Sequence, residues 1–325
     1  MSRAFWTIFR KEFGDVFRSR YFLVLCAALI VVMTLSLVIS ALDFHTRLSD
    51  YQRYVQALKQ AGGTTQEAPP QLSPLQQLRG SFEYLEIIGA ILAIVIGYGM
   101  IAKEKYRGTL RLLFSRPIGL LDVAAGKLAA LALVWLSVLA LLSLAILVTL
   151  YFVGGAVLSV SEIAKLGLSM GDAWVYLMFW SALALGLASF TRQPSTALLI
   201  SFVIWLSVVL IIPQIGDTMD PDNQVPGGLF QTLQVDKAHQ HAVLEHFSFY
   251  ESTRNALEET SISKHFERAS FAFLGVKEMY DRQPLAYIWS GTWKDTVWPL
   301  AGAWLGTAFA LSQCNKRNLL GRKSK

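Results

Sequence analysis

Gly167-Leu168-Ser169-Met170-Gly171 spells the nucleophile pattern G-x-S-x-G. A serine raised on such a turn needs a strand before it, a helix after it and a histidine base within reach. Here the pattern lies in an outer segment between two apolar runs, and all five histidines (His45, His239, His241, His246 and His265) lie in outer loops. Ser169 is therefore expected to cap the fourth apolar helix rather than to attack a carbonyl. His239, His241, Glu245 and His246 share one expected helix, where His241 and Glu245, one turn apart, have the spacing to share a metal ion. The order H-x-x-x-E-H is neither H-E-x-x-H nor H-x-x-E-H, so the expectation is a solvated helix without a resident metal. Asp217, Asp220 and Asp222 lack the glycine and distal glutamate of a calcium loop and read as a turn. The Gly126-Lys127 pair has Gly119 before it at the wrong spacing and Leu128 after it, so the phosphate-cradling loop G-x-x-x-x-G-K-[ST] is absent. The chain is expected to catalyse nothing itself.

The composition says where such residues must sit. Of 325 residues, 54% are hydrophobic and only 16% charged, against roughly 25% charged in a soluble domain. A bilayer core about 30 Å thick needs roughly 20 apolar residues per helix. Charge-free runs of about that length occupy Tyr21 to Leu42, Ile87 to Ala102, Leu128 to Ser161, Ala173 to Thr191, Gln193 to Gly216 and Thr296 to Asn315. The expected fold is all-α, a polytopic membrane protein with about six transmembrane helices at 21–42, 82–102, 128–153, 173–191, 196–214 and 296–314. The second run is short, and its extension to 82 requires Glu83 and Glu86 to reach the headgroups. Segments 43–81, 154–172 and 215–295 fall on one side of the membrane. Segments 1–20, 103–127, 192–195 and 315–325 fall on the other.

Lys and Arg choose between those sides, because cytoplasmic flanks carry an excess of them. The four shorter segments hold seventeen Lys and Arg and four acids, whereas the outer stretches 43–86, 154–172 and 215–295 hold twelve with nineteen acids. Both termini are thus expected in the cytoplasm. The net charge of +6 reads as topology and contact with anionic lipid, not as nucleic-acid binding. The first apolar run is too long for a cleavable signal peptide and is expected to stay as an anchor. Cys26 and Cys314, both near cytoplasmic helix ends, are expected to remain thiols. Gly302 and Gly306 form a small-xxx-small pair suited to close helix packing in the last span, and Trp289, Trp293 and Trp298 flank its start as an interfacial belt would.

Two cytoplasmic segments carry amphipathic patterns. Residues 3–18 place Phe5, Ile8, Phe9, Phe13, Val16 and Phe17 on one side of a helix and Thr7, Lys11, Asp15 and Arg18 on the other, as expected of a helix lying in the headgroup layer. Glu12 projects on the margin of the apolar arc, where a carboxylate either seeks a cation or reaches out to water. The link E-K-Y-R-G-T-L-R-L-L-F-S-R-P-I runs from Glu104 to Ile118. Gly108 is placed to end the preceding helix, Thr109 to cap a new one and Pro117 to limit it. The resulting two turns are too short to be stable alone. Leu110, Leu113, Phe114 and Pro117 share one apolar side beside Arg107 and Arg111, so this helix docks either onto headgroups or into a groove on a partner.

This link resembles the cytoplasmic coupling element of type-2 ATP-binding-cassette permeases. Glu104, Gly108, Thr109, Leu110, Leu112, Leu113, Ser115, Pro117, Ile118, Gly126 and Lys127 match its acidic residue, Gly-Thr-Leu step, leucine-rich turn, Ser-x-Pro-Ile ending and following Gly-Lys. Lys11, Glu12, Asp15, Arg18 and Arg20 resemble the opening interfacial helix of the same family, and the nitrous-oxide-reductase maturation permeases are the most similar type. The resemblance implies an exporter subunit that couples to a separate ATP-binding-cassette ATPase subunit and pairs with a second permease copy. ATP and magnesium would then be bound by the ATPase and no cofactor by this chain. The competing reading is a non-transporting membrane protein, either an intramembrane hydrolase or a scaffold whose outer helices bind an extracytoplasmic partner.

Overall fold

The computed structural model describes residues 2–60, 73–110, 115, 118–219, 232, 235, 239 and 248–320, and among them every regular element is helical. Helix α1 (Arg3–Phe17) precedes α2 (Arg20–Gln60), α3 (Pro74–Arg107), α4 (Leu120–Phe152), α5 (Val160–Phe190) and α6 (Pro194–Met219). The chain continues with α7 (Ser248–Thr260) and α8 (Ile262–Phe273), followed by α9 (Leu285–Gln313) and the short α10 (Lys316–Leu320). Helices α2 to α6 are long and apolar enough to cross a membrane. The chain is an all-helical, multi-pass membrane protein.

Helix α5 is the hub, packed against α3, α9, α8, α4 and α6. Small residues let the backbones close on it, as in lipid-embedded bundles. A Cβ on Gly97 would fall onto the Ser181 carbonyl, and Gly186 faces the Phe309 ring. Gly302 and Gly306 of α9 lie against Phe179, so the expected small-residue pair packs on α5. Trp135 and Trp180 are fully buried around this axis, and the Trp135 indole donates to Ser181 Oγ at 2.8 Å. Helix α2 instead buries only the stripe Phe22, Cys26, Leu29, Met33, Leu37 and Ala41, leaving Val24, Val31 and Ile39 exposed as a lipid-facing side.

Several boundaries differ from the sequence expectations. Helix α2 continues unbroken to Gln60, where an outer loop was expected from residue 43. Helix α5 starts at Val160 rather than 173, because Ser159 and Glu162 form a capping box: the Glu162 amide donates to Ser159 Oγ at 3.3 Å, and the Ser159 amide donates to Glu162 Oε2 at 2.7 Å. Ser169 is consequently no cap. It lies buried in mid-helix, its hydroxyl donating to the Lys165 carbonyl at 3.1 Å. Helix α8, within the segment expected as an outer loop, wedges against α5 and α9, stacking Phe266 on Tyr176 at 4.6 Å between centroids. It also buries His265, whose Nδ1 meets Asp295 Oδ1 at 2.7 Å. His241, Glu245, His246, Asp220 and Asp222 lie outside the described residues.

Candidate coupling site

The opening helix reaches its site through one close approach. Ser2 caps α1 by accepting from the Phe5 amide at 3.1 Å. The helix then lies across α4 over Gly126, where an added Cβ would meet Ile8 Cγ2 at 3.0 Å and the Phe5 carbonyl at 3.3 Å. Phe5, Ile8, Glu12 and Val16 form the buried stripe, while Phe9, Phe13 and Phe17 are half-buried beside it in a ladder of ring contacts. The face turned to the protein is therefore rotated from the expected apolar side of Phe5, Ile8, Phe9, Phe13, Val16 and Phe17, and it contains a carboxylate.

Glu12 does not reach out to water. Its Oε1 accepts from Lys127 Nζ at 2.7 Å and from Lys11 Nζ at 3.1 Å, with its side chain only 7% exposed. Lys127, eight residues into α4, is 1% exposed. Its ammonium also donates to the Met100 carbonyl at 2.8 Å and lies 3.0 Å from Glu104 Oε2, an ion pair without hydrogen-bond geometry. Glu104 Oε1 closes the ring by accepting from Lys11 at 2.9 Å. Two cations and two carboxylates thus join α1, α3 and α4, with no net charge left in the cluster. Burial works against the Lys11 ammonium, but the Glu12 and Glu104 carboxylates overcome it and raise its pKa above the usual lysine value.

The neighbouring residue fixes the other side of α3. Lys105 Nζ donates to the carbonyls of Ala188, Ser189 and Thr191 at 2.7, 3.0 and 2.6 Å, filling the open C-terminal end of α5. Beyond it, Gly108 ends α3 in the left-handed region at φ 66°. The Gly108 amide donates to the Lys105 carbonyl and the Thr109 amide to the Glu104 carbonyl, both at 3.2 Å, the paired closure that favours glycine here. The Thr109 hydroxyl turns back to the same Glu104 carbonyl. Leu110 is buried in the main apolar core, whereas Arg107 and Ser115 are exposed. Arg111, Leu113, Phe114 and Pro117 lie outside the described residues.

The structure brings Lys11, Glu12 and Glu104 together and joins them to Lys127, which the sequence reading matched only as half of a motif. Lys105 carried no expectation at all. An apolar span that starts at Leu128 hides Lys127 as a flank, yet the glycine beside it was a usable signal, since Gly126 is what admits α1. No chemistry of bond making is suggested by this arrangement. It holds a ring of charges at the junction of three helices and the root of the link.

A family model described as "ABC-2 family transporter protein" matches residues 6–293. No curated protein matches the chain.

Proposed function

Because the chain belongs to the ABC-2 transporter family, and so is a permease component of an ABC transporter, we propose that it couples a separate ATPase subunit to export through the ion ring around Lys127. The ring carries this reading because it ties the root of the 103–127 link simultaneously to α1 and α4, while Lys105 ties it to α5. A push on the link is then shared by three helices as a rigid-body displacement. The ATPase binds ATP and magnesium, and this chain supplies the path. A second permease copy completes the pump, which sits in the plasma membrane with both termini cytoplasmic. The nitrous-oxide-reductase maturation type is the proposed branch, on the residues of the link and the opening helix.

Leu113, Phe114 and Pro117 are the docking side, without Leu110, which was expected to share it but is buried in the permease core. Burial contributes roughly 1.5 to 3 kcal/mol for each large apolar side chain, against an association cost of about 4 to 15 kcal/mol. With Leu110 already in the permease core, the link alone does not hold an ATPase, and α1 shares the contact. Leu113→Asp is expected to abolish substrate-dependent ATP turnover and weaken ATPase docking while the permease still inserts. The measurements are subunit retention through detergent purification and turnover in liposomes. A variant that keeps both at wild-type level removes the link from the mechanism.

A further inference from the structure

A cavity of about 1040 Å³ opens beneath α1, between it, the start of α2 and the inner half of α3. That is at the top of the usual range for small-molecule pockets, roughly 300 to 1,000 Å³. Its deep part is apolar, formed by Ile8, Val16, Phe22, Val95, Ile96 and Met100. Its outer part is cationic. Arg3, Lys103 and Arg107 line it, are exposed, and take part in none of the ion pairs among the described residues. The lining acids Glu12 and Glu104 are already neutralised by Lys127 and Lys11. Asp15 is the remaining acid, at 4.0 Å from Lys11. Tyr21 and Tyr106, 85% and 67% exposed, stand at the same mouth, a position that tyrosine favours at a membrane–water boundary.

An apolar slot with a surplus of cations at its mouth fits one molecule class, an anion carrying a hydrocarbon tail. We propose that this cavity is a binding site for a resident anionic phospholipid. The headgroup phosphate lies among Arg3, Lys103 and Arg107, and an acyl chain lies along α3 past Gly99. Gly99 lines the cavity, and a Cβ there would meet nothing within 4 Å, so the slot is open on that side. The lipid fills the space under α1 that protein leaves empty, and it braces the helix that carries Glu12. The inference rests on the chain being a membrane protein but not on coupling to an ATPase, and its test contains no ATPase.

The test uses the purified full-length permease, stripped of lipid and titrated with phosphatidylglycerol or phosphatidylcholine under native mass spectrometry. One phosphatidylglycerol per chain is expected to bind in preference to phosphatidylcholine. Arg3→Gln with Lys103→Gln should weaken it about twenty-five-fold, roughly fivefold for each cation near an anionic headgroup. Gly99→Trp places an indole in the open slot and should abolish binding without lowering the melting temperature of the lipid-free protein. Equal binding of both lipids, or phosphatidylglycerol affinity unchanged in the double variant, overturns the proposal. Full displacement by millimolar inorganic phosphate overturns it too, because the tail would then contribute nothing. The charge variant decides alone if Gly99→Trp fails to fold.

Discussion

At the scale of single residues, the ion ring is unequal. Lys127 is buried against two carboxylates and a carbonyl, whereas the Lys11 side chain is 53% exposed. Breaking a buried pair by removing one partner leaves an uncompensated charge in a poorly solvated site, at about 3 to 5 kcal/mol. An exposed pair contributes about 0 to 1 kcal/mol. Lys127→Met is therefore expected to destabilise the permease severely and Lys11→Gln less, because water reaches the Lys11 ammonium although its partners Glu12 and Glu104 are largely buried, measured by thermal unfolding in detergent. The double variant Glu12→Gln/Lys127→Met leaves Lys11 facing Glu104 in a balanced pair and should recover much of the loss. A purely additive result would mean that Glu12 and Lys127 do not interact. This pairing was only half legible in the sequence. The wheel position of Glu12 left its carboxylate either to seek a cation or to reach out to water, and nothing local to residue 12 says that a cation lies 115 positions away.

At the scale of elements, two glycines make contacts of different consequence. Gly97 brings α3 against the hub α5, and a side chain there meets Ser181 backbone, which cannot step aside. Gly126 brings α1 against α4, and its nearest neighbours are the β-branch methyl of Ile8 and the Phe5 carbonyl, on a helix joined to the bundle by few other contacts. Overpacking costs about 1 to 3 kcal/mol where the site can shift, and more where it cannot. Gly126→Leu is expected to loosen α1 alone, raising hydrogen exchange of its amides while the spans stay protected, and to disconnect Glu12 from Lys127. Gly97→Leu should unprotect α3 and α5 together. Equal loss of protection across the spans in both variants would contradict the separation of α1 from the hub. Element ends were the least legible feature, for a physical reason. A charge-free run is bounded by the first charge on either side, but Lys165, Asp172 and Lys127 are all buried inside helices, so the runs for α4 and α5 began late. The capping box at Ser159 marked the true start of α5.

At the scale of the molecule, the topology depends on α9. Helices α2 to α6 are five, and an odd number of crossings puts the termini on opposite sides, whereas the surplus of Lys and Arg calls for both inside. Helix α9 resolves this if it crosses. Tryptophans, glycines and Pro299 dilute its apolarity, and Lys294 and Asp295 interrupt it, but both charges are accommodated in its N-terminal half. Asp295 meets His265, and Lys294 lies 5.9 Å from the Trp293 ring centroid. The residues from Thr296 to Gln313 carry no charge and span about 27 Å of helix, close to the bilayer core of about 30 Å. In a Cys26→Ser/Cys314→Ser background, the second serine preserving a polar partner for Ser189, a cysteine at Arg111 and another at Ser324 are both expected to escape an impermeant maleimide applied to intact cells and to react after permeabilisation. Labelling of Ser324→Cys alone from outside would mean that α9 stays on the outer face and the bundle has five crossings. Labelling of Arg111→Cys from outside would invert the whole molecule and place the ion ring away from any cytoplasmic ATPase.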